Sequence, residues 1–244
     1  MSTDVEETDG ELSPLQQINP LKPTIITAWG KKGSGKSYLN RVVYKSWPFD
    51  RIAIDVNGNA DPGEDAEKIT TPLPARFPEP AGVVGSERHA RSLYFRAHPG
   101  SPTYREDLDR VVGLALYPQD HRCLLWAGEV GELQPHGRPG PHMRTALMQN
   151  RHYNLSLLFD GPRPVNVDPL TLHQSDLVAV FPLPNPNDRK RIAEAIGVPP
   201  KDFDAVCFET WRREGHWFVL YDSATDTLYR HEPIPADDDE KAAA

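Results

Sequence analysis

Short apolar runs alternate along the chain with segments whose apolar residues recur at helical spacing. Thr24–Trp29 (TIITAW) is a β-branched run that reads as a buried strand. Lys36–Ser46 puts Leu39, Val42 and Val43 on one helical face, and Pro48 stops it. Arg51–Val56 reads as a second strand closed by Asn57-Gly58, and Ser92–Arg96 as a third. Tyr104–Tyr117 spaces Leu108, Val111, Val112 and Ala115 as a helix. Arg122–Ala127, Leu155–Phe159 and Leu177–Phe181 are further apolar strands, with a helix from about Met143 to Arg151 between the first two. Helices follow at Asp188–Ile196 and Lys201–Arg213. Trp217–Tyr221 and Thr227–Arg230 read as a hairpin. Apolar strands alternating with helices specify a mainly parallel sheet covered on both faces.

The connections divide the chain. Residues 1–20 read as a disordered acidic tail, 21–235 as one α/β domain, and 236–244 as a second disordered tail. Within the domain, 57–91 is rich in Pro and Gly and reads as an irregular insertion, and 197–235 as a C-terminal helix and hairpin.

Composition sharpens this picture. The chain has 244 residues with a formal net charge of -8. Five acidic residues before residue 15 and a net three negative charges after 235 account for all of it, so the body is electrically neutral. Any nucleic-acid contact must then come from a local patch or from several copies acting together. No apolar run reaches the length of a membrane span, and the polar, acidic start is unlike a signal peptide. Cys123 and Cys207 lie far apart in apolar segments and read as buried free thiols. The nine histidines show no zinc-like spacing.

The strongest chemical signal is Gly30-Lys31-Lys32-Gly33-Ser34-Gly35-Lys36-Ser37, which fits G-x-x-x-x-G-K-[ST] at every fixed position. Glycines let backbone N–H groups approach a phosphate, and the helix that follows offers its N-terminus to an anion. Lys36 reaches the β- and γ-phosphates, Ser37 supplies a hydroxyl ligand for Mg²⁺, and Tyr38 completes the nucleotide-binding set. ATP and Mg²⁺ are therefore the expected cofactors.

ATP hydrolysis also asks for carboxylates at the end of a second core strand. The candidate is Leu124–Glu129 (LLWAGE), where the usual order is four apolar residues, Asp, then Glu. Gly128 stands at the Asp position and Glu129 at the Glu position. Three readings stay open: Glu129 is the general base, or it takes over the outer sphere of the metal, or the site binds ATP with feeble turnover. Asp55 also ends a core strand, where a structural turn role is the simpler reading.

In these pieces the chain resembles the FtsK/HerA superfamily of DNA-pumping ATPases, and within it the small genome-packaging ATPases of tailless, membrane-containing viruses. Arg51–Asp55 with Asn57-Gly58 resembles the family's second strand and turn, and Leu124–Leu133 its second nucleotide motif. Gln149-Asn150-Arg151-His152 resembles a Gly-Arg-His segment, with Asn150 in place of Gly. Gly161-Pro162-Arg163-Pro164 resembles a Gln-Arg-Pro sensor, with Pro162 in place of Gln. The likeness spans about residues 22–196. It implies a P-loop NTPase of the strand-inserted (ASCE, RecA-like) class with a small C-terminal helix–hairpin addition. It further implies a homo-oligomeric ring that moves double-stranded DNA, with a capsid or portal-like vertex protein as a further partner, in the host cytoplasm or on the virion. In such a ring an Arg from one subunit completes its neighbour's site. Arg151 is the first choice for that finger, Arg144 the second and Arg163 the third. The basic residues of 134–152 and Arg88-His89-Ala90-Arg91 are candidate contacts to a DNA backbone. A second reading is an ATP-binding assembly or switch protein whose hydrolysis is weak, which Gly128 and Pro162 favour. A small P-loop kinase is a third, with 57–91 as a lid.

Overall fold

The computed structural model describes residues 5–7, 15, 17–58, 60–77, 90–116, 122–134 and 137–235. Tyr117, Arg88, His89, His136 and residues 236–244, on which parts of the sequence reading fall, lie outside them.

In chain order the strands are β1 (Val5–Glu7), β2 (Ile25–Trp29), β3 (Asp50–Asp55), β4 (Glu67–Ile69), β5 (Ser92–Arg96), β6 (Cys123–Ala127), β7 (Leu155–Gly161), β8 (Leu177–Val180), β9 (Phe218–Asp222) and β10 (Thr227–His231). The helices are α1 (Lys36–Lys45), α2 (Tyr104–Leu116), α3 (Pro141–Gln149), α4 (Pro169–His173), α5 (Pro186–Ala195) and α6 (Pro200–Trp211). Among the described residues all ten strands join one sheet, in the order β1-β10-β9-β8-β2-β7-β6-β3-β5-β4. From β8 through to β4 every pairing is parallel. Parallel strands leave their C-terminal ends on one edge, and β2 sits centrally there between β7 and β8.

Alternation along each strand splits the core in two. On one face Ile26, Ala28, Ala53, Leu124, Trp126 and Leu158 pack against Leu39, Val43 and Tyr44 of α1. On the other, Ile25, Ile52, Leu125, Leu157 and Phe159 pack against α2, α3, α5 and α6 through residues such as Val111, Leu147, Ile192 and Phe203. The strands are apolar on both sides because both faces are covered. Helix starts fall slightly earlier than apolar spacing suggests. Pro141 and Pro186 occupy first-turn positions, where a missing N–H costs nothing, and Asn185 caps α5 by accepting from the Asn187 N–H at 2.9 Å.

Three features depart from the sequence reading. Val5–Glu7, placed there in a disordered tail, form an edge strand parallel to β10. Arg213 Nη2 lies 2.5 Å from the Glu7 carboxylate and Arg230 lies 3.7 Å from it, so acidic charge anchors this segment. Within 57–91, Glu67–Ile69 pairs with β5, and Ile69, Leu73 and Phe77 are buried. The short helix α4 was not expected; Asp168 caps it by accepting from the Leu170 N–H at 2.8 Å. The C-terminal hairpin extends the main sheet, with β9 antiparallel to β8.

Truncating the fully buried Leu125 to Ala should lower the unfolding free energy by about 2–5 kcal/mol in urea titration. Met148→Ala, on an exposed face of α3, should change it by no more than about 0.5 kcal/mol.

Candidate nucleotide site

The phosphate loop leaves the C-terminal end of β2 and runs into α1. Gly33 and Gly35 adopt φ of 75° and 105°, in the left-handed region that side chains disfavour. A Cβ at Gly30 would come within 2.7 Å of Phe181 Cβ and 2.8 Å of Ser34 Oγ. Packing thus excludes a side chain at Gly30, and backbone conformation disfavours one at Gly33 and Gly35. Gly35 caps α1 without a side-chain acceptor, and the first turn of α1 holds no acidic residue. Its leading N–H groups therefore face an anion site with no built-in competitor.

Lys36 is buried, and its Nζ donates to the Lys31 carbonyl at 3.0 Å. Burial lowers its pKa, while the Asp160 and Glu129 carboxylates oppose that shift. Lys31, Lys32, Gly33 and Ser37 are exposed and Tyr38 is half-buried. Ser34 Oγ is buried without a hydrogen-bond partner. Bare helix amides, an enclosed ammonium and an orphaned hydroxyl fit a bound triphosphate. The exposed Ser37 hydroxyl suits one Mg²⁺ ligand. Among the described residues no group of three His, Cys, Asp or Glu side chains could hold a metal ion.

Glu129 follows β6 with φ of 54°, an unusual conformation for a non-glycine residue. It is half-buried, and its pKa is raised first by burial and then by the charge of Asp160, against the pull of Lys36. Lys36 and Glu129, separate candidates in the sequence reading, thus lie within range of each other's charge. Asp160 was missed there. It ends an apolar run on β7, is buried, and accepts from Asn40 Nδ2 at 2.6 Å and Trp126 Nε1 at 3.3 Å. Its pKa too is raised by burial.

One cavity opens on the loop and another on the neighbouring strand ends. The first, of about 440 Å³, is walled by Tyr38, Phe181, His216, Phe218, Pro233 and Ile234. Phe218 is stacked between Phe181, at a ring separation of 4.6 Å, and His231, at 4.4 Å. The other, of about 640 Å³, is lined by Glu129, Arg105, Glu132, Gln134 and Arg163. Arg163 Nε lies 2.7 Å from the buried Asp188 carboxylate, which aims it from the end of β7.

The finger candidates separate. Arg151 precedes β7, so it lies at the opposite edge of the sheet from the loop, roughly 20 Å away at ~3.3 Å per strand residue. It is exposed, 3.6 Å from Asp176. Arg144 is exposed on α3, and only Arg163 shares a cavity with Glu129. Asp55 accepts from Tyr94 Oη at 2.7 Å and the Ala60 N–H at 3.2 Å, a turn-closing role away from the loop.

No protein-family model and no curated protein matches the chain. Solved structures do. The genome packaging NTPase B204 of Sulfolobus turreted icosahedral virus 2, in complex with sulfate, is 19 % identical with a TM-score of 0.67, the match covering 90 % of this chain and 100 % of that one. In complex with AMP it is 21 % identical, with a TM-score of 0.64 over 89 % and 100 % of the two chains. B204 of Sulfolobus turreted icosahedral virus, described as a DNA-packaging ATPase, is 20 % identical, with a TM-score of 0.60 over 88 % and 100 %.

The chain has a P-loop NTPase fold. The mainly parallel sheet with helices on both faces is the one the sequence pattern specifies, and it is the fold of the viral NTPase.

Gly35→Ala should abolish most nucleotide binding. Its Cβ would lie 3.1 Å from Phe181 Cε1, at a φ that alanine disfavours. Titration with a fluorescent ATP analogue against the folded variant measures the loss.

Proposed function

We propose that the chain is an ATP-driven motor that packages a viral genome as double-stranded DNA, working as a homo-oligomeric ring at a capsid or portal-like vertex. The observation that carries this reading is a buried Lys36 behind a glycine-built loop, in a fold shared with a viral genome packaging NTPase.

In this reading the loop amides and Lys36 grip the phosphates, and Ser37 contributes a metal ligand. The cavity walled by Tyr38, Phe181 and His216 would receive the base, and Glu129 would stand on the side of the terminal phosphate. ATP supplies the phosphoryl group, and Mg²⁺ neutralises charge on its oxygens. Glu129, ionised, accepts the proton of an attacking water, and Arg163 approaches the developing charge from the same chain. A finger supplied in trans comes from the outer surface of a neighbour, where Arg151 and Arg144 remain the candidates.

Gly128 favours a second reading, a nucleotide-binding switch or assembly protein with feeble hydrolysis. Duplex DNA separates the two. It should stimulate ATP turnover, and Lys36→Ala should remove that turnover entirely. Light scattering with ATP and Mg²⁺ should show a discrete ring; a persistent monomer with tight nucleotide binding and no turnover supports the switch.

The raised pKa of Glu129 sets a pH expectation. A proton acceptor works only when ionised, so the acid limb of kcat/KM should lie above the ordinary glutamate range. Glu129→Gln should retain ATP binding, lose about 100-fold or more in turnover, and lose that limb. An unchanged rate removes Glu129 from the mechanism.

A further inference from the structure

Gly128 leaves the strand end beside the phosphate loop without an acid of its own. The neighbouring strand supplies one. Ala127 of β6 pairs with Phe159 of β7, so Gly128 and Asp160 are the next residues along two adjacent parallel strands. A Cβ built on residue 128 would lie 3.7 Å from Asp160 Oδ2 and 3.9 Å from Oδ1. The Asp160 carboxylate therefore stands beside the space that a side chain at 128 would enter.

Its placement is tightly held. Asn40 Nδ2 and Trp126 Nε1 donate to Oδ2, and the Glu129 N–H approaches Oδ1 at 3.5 Å. Asn40 lies one helical turn beyond Lys36, which ties Asp160 to the helix that presents the phosphate-binding lysine. Asp160 acts on both Lys36 and Glu129 through its charge. Asn40 Oδ1 and Ser34 Oγ, both in residues at most 3 % exposed, have no hydrogen-bond partner. Buried polar atoms left in this way call for a ligand or water to complete them.

We propose that Asp160 is the carboxylate that positions the hydrated Mg²⁺ of this site, standing in from β7 for the acid missing at Gly128. The proposal rests on the nucleotide-binding reading above. Asp160 acts through metal-bound water and is a positioning residue. The strand-end geometry is kept while the acid moves one strand over.

The test is the Mg²⁺ dependence of binding, read with a fluorescent non-hydrolysable ATP analogue. Asp160→Asn keeps the size of the side chain and an acceptor for Asn40, and thermal melting checks its fold. The Mg²⁺ concentration that gives half-maximal enhancement should rise about 10-fold or more. Binding measured in EDTA should not weaken. Gly128 has no left-handed φ and its Cβ would meet only ordinary contacts, so an acid can be placed there. The double variant Gly128→Asp/Asp160→Asn should return the Mg²⁺ requirement toward that of the parent. A parental Mg²⁺ requirement in Asp160→Asn overturns the proposal. So does a folded double variant as defective as the single one. Failure of the parent chain to bind the analogue with or without Mg²⁺ removes the nucleotide reading itself.

Discussion

A lysine ammonium held out of water within the field of two carboxylates is the interaction on which the site depends. Lys36 is 7 % exposed and Asp160 5 % exposed, with Glu129 half-buried beside them. Enclosing such charges is costly unless each finds an opposite partner or a hydrogen bond. Here burial pulls the lysine toward its neutral form and the acids toward theirs, while their mutual attraction opposes both shifts. The loop glycines, the bare start of α1 and the abrupt turn at Glu129 all serve to keep these three groups together. An arriving polyanion would compete with the two carboxylates for the lysine.

The loop also divides its surroundings by character. Toward β8 and β9 the walls are aromatic, with Phe181 and Phe218 stacked face to face. Toward β6 and β7 they are charged, with Glu129, Glu132, Arg105 and Arg163 around one cavity. The division follows from strand order. β2 lies between a flank that continues into an antiparallel hairpin and a flank of parallel strands whose ends carry acids and an arginine. A molecule with an apolar ring at one end and a chain of phosphates at the other matches that gradient.

Much of this was legible in the sequence, for physical reasons. Buried parallel strands are apolar on both faces, so TIITAW, RCLLWA and LVAVF stand out without alignment. The phosphate loop is legible because its chemistry demands specific residues at fixed spacing. Asp160 was missed although Leu157-Leu158-Phe159-Asp160 has an apolar run ending in an acid, the pattern sought at residues 124–129. Attention to the neighbouring strand end would have found it. Arg105 carried no local signal, since its place in the charged cavity follows from how α2 packs on the sheet. Arg151 illustrates the opposite limit. Its place before the sensor-like strand made it the choice for a finger on a neighbour's site; a strand crosses the sheet from one edge to the other, so Arg151 lies far from the loop of its own chain. The edge strand Val5–Glu7 escaped because its anchors, Arg213 and Arg230, are distant in the chain.

The aromatic wall has a consequence for biosynthesis. Gly35 abuts Phe181 and His216, and Phe218 stacks on Phe181, so the pocket is closed by residues translated long after the loop. A nascent polypeptide exposes its glycine turn early, while the ribosome is still decoding the region that encloses it. The loop is therefore synthesised well before its aromatic wall, and the enclosed pocket exists only once β9 has paired with β8.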